Sequence, residues 1–357
     1  MKKRFLSAGQ LTVGGPPRTT TASRMHRRSF RTWHMAARKP WTRIAALSIA
    51  VSTLASVASA APSALLPQIG WDTGRLETGR GAALSGAEIA VSNSLSGLLS
   101  NPANMASSRV YHAGAMASIW PEARRQAYTA AIVDSNTSSS GLAGGVSGSW
   151  IVQDNDGVNR SGTDFRAAVA YPFSQKFRIG GSVKYLSMRE NGSGPLGWSP
   201  ASSGTPGQAI VKDLGVDIGV TLQPSSVFSL GLVGYNVNSP GSAFMPMMFG
   251  GGIGGGTELF TLEADVLADF TTWEKTKLRV MGGGELLVAD HFPLRVGYRY
   301  DEGPKLQWLS AGAGYIDKSM GLELGLRRTI VGVAATAVVI SFVYHVDAAG
   351  VGSTNSD

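Results

Sequence analysis

From residue 109 onward, apolar and polar residues alternate with a period of two. Leu214, Val216, Ile218, Val220 and Leu222 interleave with Asp213, Gly215, Asp217, Gly219 and Thr221. Leu294, Val296, Tyr298 and Tyr300 interleave with Arg295, Gly297, Arg299 and Asp301, and Met320–Arg327 and Asp164–Tyr171 repeat the scheme. Successive strand residues face opposite sides of a sheet, so each segment has one greasy and one polar or glycine face. Fourteen such strands are expected, at roughly 109–120, 126–134, 142–153, 163–172, 177–189, 209–222, 227–237, 247–256, 258–270, 275–288, 292–301, 306–316, 320–328 and 333–346. No segment after residue 60 has a run of about 20 apolar residues suited to a membrane-spanning helix. The nearest, Thr329 to Val346, is rich in valine and alternates Val338, Ile340, Phe342, Tyr344, which favours a strand.

The polar face separates a soluble sandwich from a barrel. It mixes glycine with opposite charges: Lys277, Arg279 and Glu285 on one strand, Glu263, Asp265 and Asp269 on its neighbour. That composition suits a confined lumen in which ion pairs cross between strands and glycines make room. The expected fold is therefore an all-β transmembrane barrel of about 14 antiparallel strands, an even number. If the first strand leaves the periplasm, every second connection is a short periplasmic turn, as at 172–176, 223–226, 289–291 and 317–319. Asp134 to Gly141 is long for such a turn. Trp120, Trp150, Trp273, Trp308, Tyr171, Tyr185, Tyr298, Tyr315 and Tyr344 fall near strand ends, as interfacial belts require.

Charge then changes the picture. The 357 residues carry a formal +8 and no cysteine, which excludes a disulfide scaffold and a thiolate zinc site. Residues 1–60 hold eleven Lys/Arg and no Asp or Glu; the rest holds 21 basic against 24 acidic residues. The basic excess is a leader, and a nucleic-acid partner is not expected. Arg38, Lys39 and Arg43 precede the apolar run Ile44–Val57, which closes on Ala58-Ser59-Ala60. A basic region, an apolar region and a small-x-small site form a secretory signal, expected to be cleaved after Ala60. The 34 residues before Met35 are long for such a leader, so translation is expected to start at Met35 or Met25. The body then divides into a plug at 61–108, a barrel at 109–346 and a tail at 347–357.

Residues 61–108 do not alternate. Within them, Gly79-Arg80-Gly81-Ala82 leads through Gly86 and Ala87 to Asn101-Pro102-Ala103 and then into the first strand. This resembles the N-terminal signature of the FadL superfamily of outer-membrane transporters, which includes the PorV/PorQ-like proteins. The sequence departs from it at Ser92-Asn93-Ser94, where an acidic pair is usual, and at Asn104, where glycine usually follows. The motif covers about 25 residues. The resemblance implies a bacterial outer-membrane barrel with an N-terminal hatch. It also implies passive uptake of a hydrophobic small molecule such as a long-chain fatty acid, with membrane lipids around it. The PorV-like branch implies instead docking or shuttling of a secreted or periplasmic protein partner. On physical grounds, a fourteen-strand lumen is too wide for side chains alone to fill, so a small-residue segment folded inside would occlude it. Pro102 would fix the turn into the first strand.

The resemblance further implies ligand capture by the third and fourth extracellular loops and release through a kinked third strand. By parity, the third loop is 190–208, with Leu196 and Trp198. The fourth, 238–246, adjoins Phe244, Met245, Met247, Met248 and Phe249, flexible thioethers and aromatics that offer an adaptable apolar surface. Packing or lipid contact would use the same residues equally well. Gly144, Gly145 and Gly148 lie in the third strand, where glycines mark bulges or close approach. Gly250-Gly-Gly-Ile-Gly-Gly matches a dinucleotide fingerprint formally but lacks the strand–helix setting that chemistry needs. Asp154–Asn159 resembles a calcium loop, yet an Asp-Gly hairpin tip accounts for it more simply. His112, His291 and His345 are far apart in sequence and without metal-ligand spacing, and no nucleophile-elbow pattern occurs. No enzyme activity, cofactor or metal is expected.

Overall fold

Period-two alternation becomes a closed wall. The computed structural model describes residues 76–92, 94–153, 159–190, 209–242 and 244–347. The leader with Ala58 and Ala60, the first part of the plug segment, the third-loop residues Leu196 and Trp198, Asp154 to Val158, and 348–357 of the expected tail lie outside them. The strands are β1 Val110–Trp120, β2 Arg125–Asp134, β3 Ala143–Gln153, β4 Arg160–Pro172, β5 Phe177–Glu190, β6 Ala209–Ser225 and β7 Phe228–Tyr235. They continue as β8 Met248–Gly256, β9 Phe260–Asp269, β10 Lys277–Val288, β11 Phe292–Asp301, β12 Leu306–Ile316, β13 Met320–Val331 and β14 Thr336–Asp347. Each expected boundary falls within about three residues of the observed one. Every strand pairs antiparallel with its sequence neighbours, and β14 closes on β1 from Val110↔Asp347 to Ile119↔Val338. Closure satisfies the backbone groups that an open edge would expose.

The outward positions are apolar and uncovered. Val146, Trp150, Phe165, Val169, Leu232, Ile253, Val296 and Leu309 are each more than half exposed. They come from strands right round the circumference, which makes this a band too large for a surface in water and matched to hydrocarbon. Aromatic clusters sit at the ends of the band. Tyr171, Phe173 and Phe177 flank the β4–β5 turn, with ring centroids 5.0 and 5.8 Å apart, and His291 and Phe292 meet Tyr315 beside the β10–β11 turn. Trp120 and Trp308 depart from the expected belt. Both are buried on the inward register of their strands, at the end of the lumen that carries the β1–β2 and β11–β12 connections, hereafter the loop end. A strand position fixes height, but only parity fixes which side a ring takes.

Inside lies a plug built from α1 Gly79–Ala83, α2 Ser94–Leu99 and a 3-10 turn Pro102–Ala106. Thr78 caps α1 through the Gly81 amide and meets Ser96 of α2 at 2.9 Å. Asn101 caps the 3-10 turn through the Ala103 amide at 3.1 Å, with Pro102 in its first position. Inward glycines seat this backbone. Added methyls at Gly180, Gly219, Gly231, Gly297, Gly312 and Gly325 would overlap Ala103, Asn101, Ile89, Leu84, Ala83 and Gly79. The Gly250–Gly255 run is part of β8, and Gly252 and Gly254 make the same room for Ile89 and Val91. Gly250 and Gly255 instead lie against wall backbone at Val266 and Val227, so the near-match to a nucleotide fingerprint follows from packing within the wall and against the plug.

The long β2–β3 turn is tied down. Arg109 donates to the carbonyls of Asn136 and Ser138 at 2.9 and 2.7 Å, and the Asp134 carboxylate accepts the Asn136 and Thr137 amides.

Candidate functional site: a lumen with two faces

The inner wall is mixed: β4–β6 carry ion pairs, Lys184 with Asp217 and Arg160 with Glu190, each at 2.9 Å, beside an apolar seam. On the β1–β6 side, Met116, Trp120, Ala127, Ile151, Ala168, Leu186, Met188 and Val211 form one buried apolar cluster with Leu95, Leu98, Leu99 and Met105 of the plug. This seam runs from the loop end, at Trp120, Met188 and Val211, to Val133 and Ala143 at the opposite end. At its top, the Arg125 guanidinium lies 4.1 Å from the Trp120 ring centroid, an apolar body under a cationic tip.

The β9–β13 side is ionic. Arg295 pairs with Glu285 and, at 2.8 Å, with Glu323; Arg279 and Arg299 share Asp301; Arg327 grips Glu77 of the plug in a bidentate pair at 2.7 and 3.0 Å. Arg299 and Arg327 flank Trp308, each 5.5 Å from its ring. Arg80 of the plug joins Glu88 at 3.1 Å and Glu285 at 3.4 Å. The expected pairing between β9 and β10 does not occur. Register sets Asp265 opposite Met281 and Glu263 opposite Gly283, and Lys277, although opposite Asp269, turns its ammonium to Glu302. The β9 acids turn to the plug. Asp265 accepts the Glu88 and Ile89 amides at 2.8 and 3.0 Å, and Glu263 accepts those of Ala90 and Val91 at 2.6 and 3.0 Å. Four consecutive amides with no secondary-structure partner are satisfied by two carboxylates, an arrangement stronger than neutral hydrogen bonding.

The Asn-Pro-Ala motif is structural. The Asn101 amide donates to the Ile89 carbonyl at 2.8 Å and to Thr221 at 3.2 Å, while Asn104 reaches Ile89 and Ser92 and accepts from Thr221 at 2.7 Å. Asn104, a departure from the family pattern, thus closes a network between plug and wall. Gly79 lies against the Glu323 backbone and donates its amide to Ser341, and Gly81 lets Glu88 approach.

The fourth-loop candidates separate. Met245 is buried in the seam with Phe244 packed against it; Met248 joins a second cluster with Ile89, Tyr235 and Leu267. Met247 is half-buried at the rim, and Phe249 faces outward, edge-on to Phe270 at 5.9 Å. On β3, Gly145 faces the plug at Met105 and Leu98, whereas Gly144 and Gly148 face outward. β3 pairs without a register shift to β2 over Gly144–Gln153 and to β4 over Ala143–Gln153, so no bulge interrupts it at these glycines. Barrel closure brings together two histidines that are remote in sequence. His112 and His345 are cross-strand partners with ring centroids 5.1 Å apart, and His345 Nε2 donates to the Asp317 carbonyl at 2.7 Å.

No protein-family model matches the chain, and no curated protein does. Solved structures do. The CymD monoaromatic hydrocarbon channel aligns with a TM-score of 0.56 at 14% identity over 76% of this chain and 97% of that one. The toluene transporter TbuX of Ralstonia pickettii gives 0.53 at 12% identity, covering 76% and 98%. A FadL homologue from Pseudomonas aeruginosa gives 0.55 at 14%, also covering 76% and 98%. At this identity the likeness is one of fold alone.

Proposed function

We propose that this protein is a bacterial outer-membrane barrel that passively admits hydrophobic small molecules. The carrying observation is the apolar seam, which joins the loop end to the plug inside a lumen otherwise lined by ion pairs. A porin for polar solutes has no use for such a seam, because water and ions pass along charged walls. The outward apolar band supports placement in lipid. Solved barrels of the same fold are described as a monoaromatic hydrocarbon channel and a toluene transporter, which favours small apolar cargo over polar solutes.

The test is uptake of radiolabelled toluene, and separately of a long-chain fatty acid, by outer-membrane-intact cells that lack their own channels of this kind. Expression of the chain is expected to accelerate one of them. Acceleration of neither, with the barrel folded in the membrane, would remove the transport reading. Four-residue loop-end connections at 121–124, 302–305 and 332–335 suit a second reading, docking of a secreted protein at the outer rim. Stable co-purification with such a partner, together with absent uptake, would favour it.

A further inference from the structure

The seam does not stop at the plug. Leu95 of α2 and Val343 of β14 belong to its packing, and both also line a separate cavity of about 320 Å³ at the end opposite the loops. Leu95 occupies the hollow left by Gly114 of β1. Beyond it the lining turns polar, with Thr78, Ser96, His112 and His345 beside Arg80, Arg295, Glu285 and Glu323. The wall at β3 is meanwhile hydrogen-bonded along its whole length on both sides.

We propose that this cavity is a periplasmic exit vestibule, that Leu95 is the gate between it and the apolar seam, and that the ligand it receives is a small neutral molecule with an apolar body and one hydroxyl group, an alcohol or a phenol. Passage is then axial, past the plug, and not through the barrel wall. The size is at the lower end for small-molecule sites, roughly 300–1,000 Å³. Three cationic side chains in the lining, Arg80, Arg295 and Lys318, meet three anionic ones, Glu285, Asp317 and Glu323, so the vestibule presents no net field that selects an anion. It does hold donors and acceptors for a hydroxyl. Thr78 and Ser96 line it with hydroxyl groups, and Arg295 is buried against its wall. Glu285 and Glu323 offer carboxylate oxygens beside it. Leu95, Ile316 and Val343 receive the apolar body. A group that must leave hydrocarbon for the aqueous periplasm gains from such a mixed lining, since each polar atom it carries is met before water is.

This inference rests on the transport reading above, and the experiment separates the two. The probe is a radiolabelled alkylphenol, and the measurement is its initial uptake into the same outer-membrane-intact cells. Gly321 faces the vestibule, and an added Cβ there meets its nearest atom, on His345, at 3.7 Å, so Gly321→Trp fills the cavity without striking the backbone. Gly144 faces outward from β3 with open space around it, so Gly144→Trp is the matching probe of the wall. Folding of each variant is checked by heat-modifiable gel migration. The expected result is that Gly321→Trp reduces uptake to the level of cells without the barrel, Gly144→Trp leaves it unchanged, and Leu95→Ala raises it. Ion conductance of Leu95→Ala in planar bilayers is expected to stay at the wild-type level, which separates an opened gate from a loosened plug. Wild-type uptake that persists in a folded Gly321→Trp barrel overturns the vestibule while leaving the transport reading intact. Uptake of toluene or fatty acid with none of alkylphenol overturns the assigned ligand class. No accelerated uptake of any probe by the wild type overturns the transport reading, and the inference with it.

Discussion

At the scale of single residues, the lumen's charges are partners for one another and for the plug. Arg327 and Glu77 are almost fully buried, and two parallel hydrogen bonds hold them in one geometry. Removing one member of such a pair leaves an uncompensated charge away from water, at about 3–5 kcal/mol, whereas removing both removes the penalty with the pair. Arg327→Met is therefore expected to destabilise the folded barrel by about that amount in denaturant titration, and Arg327→Met with Glu77→Met by clearly less. A double-variant loss equal to the sum of the Arg327→Met and Glu77→Met losses would show no coupling between the two, and the pair reading would fail. Trp308 sharpens the point, because the Arg327 guanidinium also lies over its ring. Part of the single-variant loss should then be read as lost packing, and Arg327→Lys, which keeps charge but not the planar fork, is expected to fall between the two.

At the scale of elements, β9 is the strand that holds the plug. Its two inward acids satisfy the four amides from Glu88 to Val91. Glu263→Gln with Asp265→Asn keeps size but replaces charge-assisted bonds with neutral ones, a loss of about 2–3 kcal/mol in plug docking. The expected consequence is larger and noisier ion conductance in planar bilayers, with gel migration unchanged; a silent double variant would mean that the glycine seat alone holds the plug. The β12–β13 turn carries a pH-dependent element. The amides of Ser319 and Met320 donate to Asp317 at 2.7 and 2.9 Å, and these bonds hold its carboxyl below the usual aspartate range. A depressed folded value means that the turn's order is complete above the ordinary aspartate range and is lost as pH falls through the folded value. Amide exchange at Ser319 and Met320 should rise in that acid window, and an Asp317→Asn variant should show no such step. The sequence announced these strands because a half-buried wall leaves period two at every one, and turn residues punctuate it. It did not announce what faces what. Ion-pair partners depend on register between strands, as with Asp265 opposite Met281; the side taken by Trp120 depends on parity; and the meeting of His112 with His345 depends on closure of the first strand on the last. The plug motif was visible, but its anchors were not, since Glu263 and Asp265 look like any inward acids until the backbone they face is known.

At the scale of the whole molecule, the fold exposes what a water-soluble protein buries: ion pairs and glycines share the interior with one apolar seam, and the exterior is covered by Val, Leu, Ile and Phe with Tyr and Trp among them. Such a body is stable only if its solvent is hydrocarbon, and that requirement has a measurable gradient. Val296 lies midway along β11 and is 63% exposed on the outer face, while Phe292 is the strand's first residue, 48% exposed at the turn end. An arginine on the lipid face costs about 2–4 kcal/mol at the bilayer midplane and about 0–1 near the interface. Val296→Arg is thus expected to lower folding stability in liposomes by several times more than Phe292→Arg does, although both replace an exposed apolar side chain with the same charge. In water neither position buries its side chain, and both changes would fall within the small range typical of surface substitutions. A steep difference in liposomes places the band in hydrocarbon, with the middle of β11 near the membrane centre. Equal, small effects would mean that the band is covered by something other than lipid, and the outer-membrane reading would fail at its base.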